Sequence, residues 1–157
     1  MPATITTDQV WEEIEGQMFA VLGHVTPKGE PRTSGIVYTV RNRQLYIGVH
    51  RQSWKPRHIA RHPQVSLTVT VPKRIPFLPW IKIPPATITF QGEAEVMPFK
   101  QADAKAQQAL LRDVQIAPGA QRDMIKVTPT GEFLTYGVGV SMNTMRRPHD
   151  AAGRAAV

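Results

Sequence analysis

The stretch YIGVHRQSWKPRHIARHP, residues 46–63, changes character halfway along. Its first residues alternate in polarity, which is typical of a β-strand with one buried face. Its second half begins at Ser53, a favourable helix N-cap residue, and ends at Pro63, which cannot continue a helix. The stretch therefore predicts a strand followed by a short helix, with a polar, basic corner at residues 50–55 between them.

Cationic side chains are concentrated around this corner, at Arg41, Arg43, Arg51, Lys55, Arg57 and Arg61. A helix N-terminus leaves backbone N–H groups free and carries partial positive charge, so it favours phosphate. Ser53, Lys55, Arg51 and His50 would add hydrogen bonds and charge to such a site. The alternative is that Ser53 is only a helix cap and the cations are a solvated face. Packed like charges repel one another unless an anion lies among them, which favours the phosphate interpretation.

The bulk composition describes one globular domain. The chain has 157 residues, of which 41% are hydrophobic, and a net charge of +7 that favours anionic ligands. There are no cysteines, no apolar run near the ~20 residues that span a bilayer, and no secretory signal. We expect a cytoplasmic protein without a membrane partner, with a domain over residues 1–145 and a C-terminal tail over residues 146–157.

Short strands separated by tight turns dominate the rest of the sequence. The order is a helix, three strands, the corner helix, two strands, a third helix over residues 98–114, and a final hairpin turning at Pro129, Thr130 and Gly131. The first helix carries capping-box spacing between Thr6 and Gln9. This order predicts a mainly β fold, an antiparallel closed or split β-barrel with peripheral helices.

A proline-rich segment, PKRIPFLPWIKIPP at residues 72–85, interrupts this order. Its prolines exclude regular structure, so an extended loop is expected. Its large apolar side chains, Phe77, Leu78, Trp80 and Ile81, would be a liability in water. We expect them to fold back on the domain or to be buried by a partner subunit, with Phe77 and Trp80 in the interface.

The remaining motifs narrow the chemistry. Ser34 and Gly35 are small residues within a strand, where a glycine marks either close approach by a ligand or a bulge. His58 and His62 have the spacing of a metal-binding pair, but no neighbouring carboxylate completes it, so no metal site is predicted. No residue demands the role of general acid, and the catalytic residues stay unknown; His24 and Tyr38 are the candidates.

Residues 17–97 resemble the pyridoxamine 5′-phosphate oxidase-like family of flavin-binding split-barrel proteins. The resemblance rests on Gly29 and Pro31 in the first turn, Ser53 and Lys55 at the helix start, the pair His62-Pro63, Val65, and the strand QGEAEV. It implies an FMN-binding type of split β-barrel and a homodimer with two cofactor sites at the subunit interface.

The resemblance also implies where the cofactor binds. Its phosphate would lie at Ser53 and Lys55 with Arg51 and His50 beside it, and its ring along Ser34, Gly35, Ile36, Val37 and Val49. The partner subunit would contribute from the strand that holds Gln91. The cofactor is FMN or, as in a subset of such proteins, the 8-hydroxy-5-deazaflavin coenzyme F-420, whose longer acidic tail suits the surplus cations. Enzymes of this family that oxidise vitamin B6 carry an Arg-x-x-x-x-Lys strand. The second strand here has Arg32 but no lysine after it, so that activity is not expected.

Three functions are compatible with these features. The first is a flavin- or deazaflavin-dependent oxidoreductase that transfers hydride to or from a small organic substrate. The second is a non-catalytic carrier or sensor of the same cofactor, because a fold does not fix function. The third is a barrel that binds single-stranded nucleic acid. We do not expect the third, because only Tyr46 and Trp54 are interleaved with the basic cluster.

Overall fold

The computed structural model describes residues 2–113 and 119–157 of the chain. Its strands are β1 (Ala3–Thr4), β2 (Phe19–Val25), β3 (Pro31–Val37), β4 (Thr39–Arg41), β5 (Gln44–His50), β6 (Gln64–Val71), β7 (Ala86–Pro98), β8 (Arg122–Tyr136) and β9 (Ala152–Ala156). Its α-helices are α1 (Thr7–Glu15), α2 (Trp54–Arg61), α3 (Ala104–Asp113), α4 (Met142–Met145) and α5 (Pro148–Ala151). A 3₁₀ turn, Phe99–Gln101, precedes α3.

The strands form a single sheet in the order β1-β9-β8-β7-β6-β2-β3. Strand β8 is long enough to have two partners along one edge. Its first half pairs with β5 up to Val127, and its second half pairs with β9 from Glu132 onward. All strand pairs in the described part of the chain are antiparallel except the short parallel pair of β1 with β9.

The sheet curves into a barrel that is split rather than closed. Strand β3 lies at one end of the hydrogen-bonded order, and a single residue, Tyr38, separates it from β4, which pairs with β5. The chain therefore crosses from one edge of the wall to the other by a bend. The buried Tyr38 hydroxyl fixes that bend by donating a 2.6 Å hydrogen bond to the carbonyl of Ile14. The prediction of a mainly β split barrel with peripheral helices is confirmed.

The barrel interior is filled by residues that alternate along the strands. Leu22, Ile47, Leu67, Ile88 and Phe133 are among its fully buried side chains. Each such side chain contributes about 1.5–3 kcal/mol when it leaves water, so this core holds the strands in register. Helix α1 closes one side, capped by the predicted Thr6 and Gln9 box. Helix α3 covers a second apolar cluster through Ala106 and Leu110, together with Ala102 just before the helix.

Two expectations about the C-terminal third are corrected. Residues 129–131 were expected to turn, but β8 continues through them to Tyr136. A change of register opposite Thr89 and Gln91 and a positive φ of 77° at Gly131 absorb the irregularity as a bulge. Residues 146–157, expected to be a tail, include α5 and β9, and β9 pairs with both β8 and β1. None of the helices in the described ranges is long and apolar enough to span a membrane.

Candidate functional site

Helix α2 begins shortly after strand β5, and its N-cap residue, Ser53, is unusual. Ser53 has the extended N-cap backbone, with φ −70° and ψ 159°, but its side chain makes no capping hydrogen bond. The hydroxyl is buried and has no hydrogen-bond partner. Buried polar atoms are nearly always hydrogen-bonded, so an orphaned hydroxyl at a helix N-terminus marks a place where a partner is missing. The interpretation of Ser53 as only a cap therefore does not fit.

Lys55 follows in the first turn of α2 and reaches across to the edge strand. Its Nζ lies 3.5 Å from the carbonyl oxygen of Gly35 and 5.7 Å from the centre of the Trp54 ring. Burial lowers the pKa of Lys55, because a charged amine loses hydration there. None of the ion pairs found in the described part of the chain involves Lys55. An anion at this position would restore the lost stabilisation of the charge.

A histidine pair lies beneath this turn. The Nδ1 of His58 is 3.3 Å from the Nε2 of His24, and the His24 ring stacks on Trp54 with centroids 5.1 Å apart. Burial lowers the pKa of His24, and the nearby His58, Lys55 and Arg32 lower it further. His24 Nδ1 is a second buried atom without a partner. Lys55, Arg32, His24 and His58, together with Ser53, are called the cationic corner below.

His24 and His58 were not predicted to meet. Burial alternates along β2, and His24 takes the inward position after Ala20 and Leu22, where a histidine is unusual. This alternation was the sequence signal that could have identified His24. His58 was considered with His62 as a metal pair, but its ring contacts His24 instead. Within residues 2–113 and 119–157, no group of three potential metal ligands occurs.

Arg51, a predicted phosphate ligand, is engaged elsewhere in this structure. Its Nε lies 2.9 Å from Oδ1 of Asp123, and the guanidinium also donates to Gln121 and to the backbone carbonyl of Arg122. These contacts fasten the chain just before α2 to the start of β8. The neighbouring His50 is exposed, and its Nδ1 lies 3.4 Å from the backbone nitrogen of Gln52.

The predicted ring-binding residues divide between the two faces of the wall. Ile36 and Val49 are buried in the core, and the hydroxyl of Ser34 is buried and unpartnered. Gly35 and Val37 alternate with these residues and lie on the outer face of β3, where the ring of Phe19 covers Gly35. A Cβ built on Gly35 would lie 2.9 Å from that ring.

Gln91 lines an open groove on the outer face of the sheet. The groove has a volume of about 520 Å³ and lies across β2, β3, β6 and β7, with Arg32, Ser66, Gln91 and Glu93 among its lining residues. It shares Arg32 and His24 with the cationic corner. The corner and the groove are therefore neighbours on one side of the barrel.

This arrangement fits an anion such as phosphate better than a metal cation. Lys55 and Arg32 provide positive charge, Ser53 provides an unused hydroxyl, and the start of α2 provides free N–H groups. None of the ion pairs found within residues 2–113 and 119–157 joins a carboxylate to Lys55 or Arg32. The residues present thus fit an anionic group, such as the phosphate of a cofactor.

Comparisons with solved structures agree on the fold. A protein described as an F-420 reductase, without a stated organism, is 20% identical, covers 78% of this chain and 93% of its own, and has a TM-score of 0.56. A haem-binding protein from Mycobacterium smegmatis is 14% identical with a TM-score of 0.68, covering 99% of this chain and 60% of its own. An FAD-binding protein from Mesorhizobium loti is 15% identical with a TM-score of 0.64, covering 82% and 93%.

The sequence comparisons identify the family. No curated protein matches the chain. The family model described as pyridoxamine 5′-phosphate oxidase matches residues 6–136, a range that contains strands β2 to β8 and the whole cationic corner. The chain belongs to the pyridoxamine 5′-phosphate oxidase family.

Proposed function

We propose that this protein binds a phosphorylated flavin-type cofactor at the cationic corner and is an oxidoreductase that transfers hydride to or from a small organic substrate. The observation that carries the proposal is the unsatisfied start of α2. Ser53 occupies the N-cap without capping, and Lys55 is partly buried without an ion-pair partner in the described residues. A phosphate would satisfy both groups at once.

The residues of the corner would then have separate roles. Ser53 would donate its hydroxyl hydrogen bond, while Lys55 and Arg32 would balance the phosphate charge. The stacked rings of Trp54 and His24 would hold the helix start in place, since their centroids lie 5.1 Å apart. When bound, a flavin or deazaflavin supplies hydride chemistry at its ring, and the protein supplies binding, orientation and electrostatics.

FMN is the first candidate cofactor and coenzyme F-420 the alternative. Neighbours in the structural comparison carry the descriptions F-420 reductase and FAD-binding protein, which support a flavin-type ligand without choosing between the two. The exposed Arg57 and Arg61, one turn apart on α2, would favour a ligand with a longer acidic tail. We do not propose haem, because His24 is only 3% exposed and its Nε2 faces His58.

We also propose a homodimer in which a second copy covers the outer face of the sheet. The open groove that contains Gln91 supports this, because a cofactor at the corner would otherwise be exposed along it. Gln91 of each subunit would then contribute to the cofactor site of the other subunit. Sedimentation velocity at several protein concentrations tests the assembly.

Equilibrium binding of matched ligands tests the proposed function. FMN, riboflavin and coenzyme F-420 are titrated into the protein and followed by ligand fluorescence. Riboflavin has the ring of FMN without its phosphate, so it should bind at least tenfold more weakly than FMN if the phosphate site is real. Equal affinities for FMN and riboflavin would show that the cationic corner does not bind the phosphate, which would contradict the proposal. A non-catalytic carrier would bind tightly but show no turnover with any reductant and acceptor.

A further inference from the structure

The proline-rich loop, residues 72–85, does not fold back on the domain. Phe77 is 95% exposed and Trp80 is 72% exposed, while Leu78 and Ile81 are 37% and 45% exposed. These four side chains, called the apolar tip below, lie within the five residues 77–81. Exposed aromatic and aliphatic groups in such density mark an interaction surface.

The tip is held in its exposed position by the loop itself. The N–H of Leu78 donates to the carbonyl of Ile75, and the N–H of Ile81 donates to the carbonyl of Leu78, both at 3.2 Å. Lys73 ties the base of the loop to Val140 through a 3.4 Å hydrogen bond from its Nζ to the carbonyl oxygen. Pro76 and Pro79 occupy the second position of these two turns and so restrict the loop before any partner arrives, which lowers the entropic cost of docking.

The surroundings of the tip are cationic. Arg74 and Lys82 are exposed within the loop, and Arg146 joins Lys82 in the lining of a groove of about 640 Å³. The rest of that lining is largely apolar and includes Ile81, Met142 and Met145. No Asp or Glu occurs in residues 72–85 or in residues 137–149. The apolar tip therefore lies beside exposed cations, and neither segment contains an acidic residue.

We infer that this loop docks on the surface of an anionic lipid bilayer. The apolar tip would enter the boundary between headgroups and acyl chains, where tryptophan is favoured. Arg74, Lys82 and Arg146 would meet the lipid phosphates, because cations near an anionic membrane surface are attracted to it. Such peripheral binding needs no membrane-spanning segment. The inference is independent of the cofactor proposed above.

Charge argues against a second copy as the occupant. In a two-fold dimer whose axis passes through the loop, Arg74, Lys82 and Arg146 would lie close to their own counterparts. Neither segment holds a carboxylate to separate them. Like charges placed opposite each other disfavour an interface, whereas anionic lipid neutralises all of them.

Co-sedimentation of the full chain with lipid vesicles tests the inference. Vesicles of phosphatidylcholine alone are compared with vesicles that also contain phosphatidylglycerol. The wild type should bind the anionic vesicles at least several-fold more tightly, and added salt should weaken that binding. A variant with Phe77→Ser and Trp80→Ser should lose at least tenfold in affinity for the anionic vesicles. A second variant, Arg74→Glu with Lys82→Glu, should lose the preference for anionic lipid.

A matched control separates the loop from general surface changes. Leu111 is 48% exposed on α3, and Lys105 is exposed on the same helix, so the variant Leu111→Ser with Lys105→Glu removes similar groups elsewhere. It should bind vesicles like the wild type. Absence of wild-type binding to either vesicle would overturn the inference. A shift from dimer to monomer in the Phe77 and Trp80 variant, seen by sedimentation, would assign the tip to a second copy and would overturn it too.

Discussion

The Nδ1 atom of His58 lies 3.3 Å from the Nε2 atom of His24, and this contact joins helix α2 to the inward face of strand β2. One of the two nitrogens must donate and the other must accept, so the contact requires at least one neutral ring. Full protonation would set two donors and two charges against each other. Burial already lowers the pKa of His24, and cationic neighbours lower it further. The pair is therefore sensitive to acid.

Acid should destabilise the protein through His24. Because its folded pKa lies below the ordinary 6.5, the unfolded chain takes up the proton first as the pH falls. Stability contributed by neutral His24 is thus present above pH ~6.5 and is lost progressively below it. His24→Phe keeps a ring against Trp54 and removes this titration, so its melting temperature should fall less between about pH 7 and about pH 5. Parallel pH profiles for the two proteins would contradict the assignment.

Ser53→Ala should leave stability unchanged and weaken cofactor binding. Its hydroxyl makes no capping bond, so its loss should change the free energy of unfolding by less than about 0.5 kcal/mol. Thr6→Ala is the matched control, because Thr6 accepts a real capping bond from Gln9 and should cost about 0.5–2 kcal/mol. Denaturant unfolding measures both. A large loss of stability in Ser53→Ala would make it an ordinary cap after all.

Lys55 and Arg51 should separate into a ligand-binding and a structural cation. Lys55→Ala should lower FMN affinity by about 10- to 100-fold, since a hydrogen bond to a charged group contributes about 1.5–3 kcal/mol. Riboflavin affinity should not change. Arg51→Ala removes the ion pair with Asp123, so it should lower the melting temperature and have the smaller effect on affinity. The double variant should show both losses. FMN affinity unchanged in all three would place the phosphate elsewhere.

The sequence predicted the local elements of the site well. The bounds of α2 follow from Ser53 and Pro63, and the helix runs from Trp54 to Arg61 as those signals require. The first helix and its capping box were likewise predicted, because caps depend on residues only three positions apart. Signals of this kind are complete within a short window.

Contacts between distant residues were beyond such signals. His24 and His58 are 34 positions apart, and Arg51 and Asp123 are 72 apart, so only the folded barrel brings them together. The turn expected at residues 129–131 failed for a related reason. Pairing with β7 on one edge holds β8 as a strand through a local turn signal. Strand β9, with the sequence AGRAA, has little strand propensity and is likewise held by its neighbours.

Gly35→Val should block the cofactor ring while the barrel stays folded. The new Cβ would lie 2.9 Å from the ring of Phe19, which is 48% exposed and therefore free to rotate away. FMN affinity should fall at least tenfold, and weak binding of inorganic phosphate should remain. Gly92→Ala is the contrasting variant, because its Cβ would lie 2.9 Å from the backbone oxygen of Thr128 and should cost about 1–3 kcal/mol of stability. Full FMN affinity in Gly35→Val would move the ring away from β3.

Charge reversal on the exposed face of α2 should distinguish the two cofactors. FMN ends at its phosphate and would not reach Arg57 and Arg61, whereas the acidic tail of coenzyme F-420 extends further. Arg57→Glu with Arg61→Glu should therefore spare FMN affinity and lower F-420 affinity. The loss should be larger at low salt, because exposed charges are screened over ~10 Å at 0.1 M.

The control for this variant reverses two charges on another helix. Lys105→Glu with Arg112→Glu changes the net charge equally on α3, where both residues are exposed, and should leave both affinities unchanged. Equal losses in the two double variants would indicate a net-charge effect rather than a contact. Equal affinity for F-420 in wild type and the α2 variant would favour FMN. Absence of micromolar binding by either ligand would remove the oxidoreductase proposal, because no other group in the corner supplies hydride chemistry.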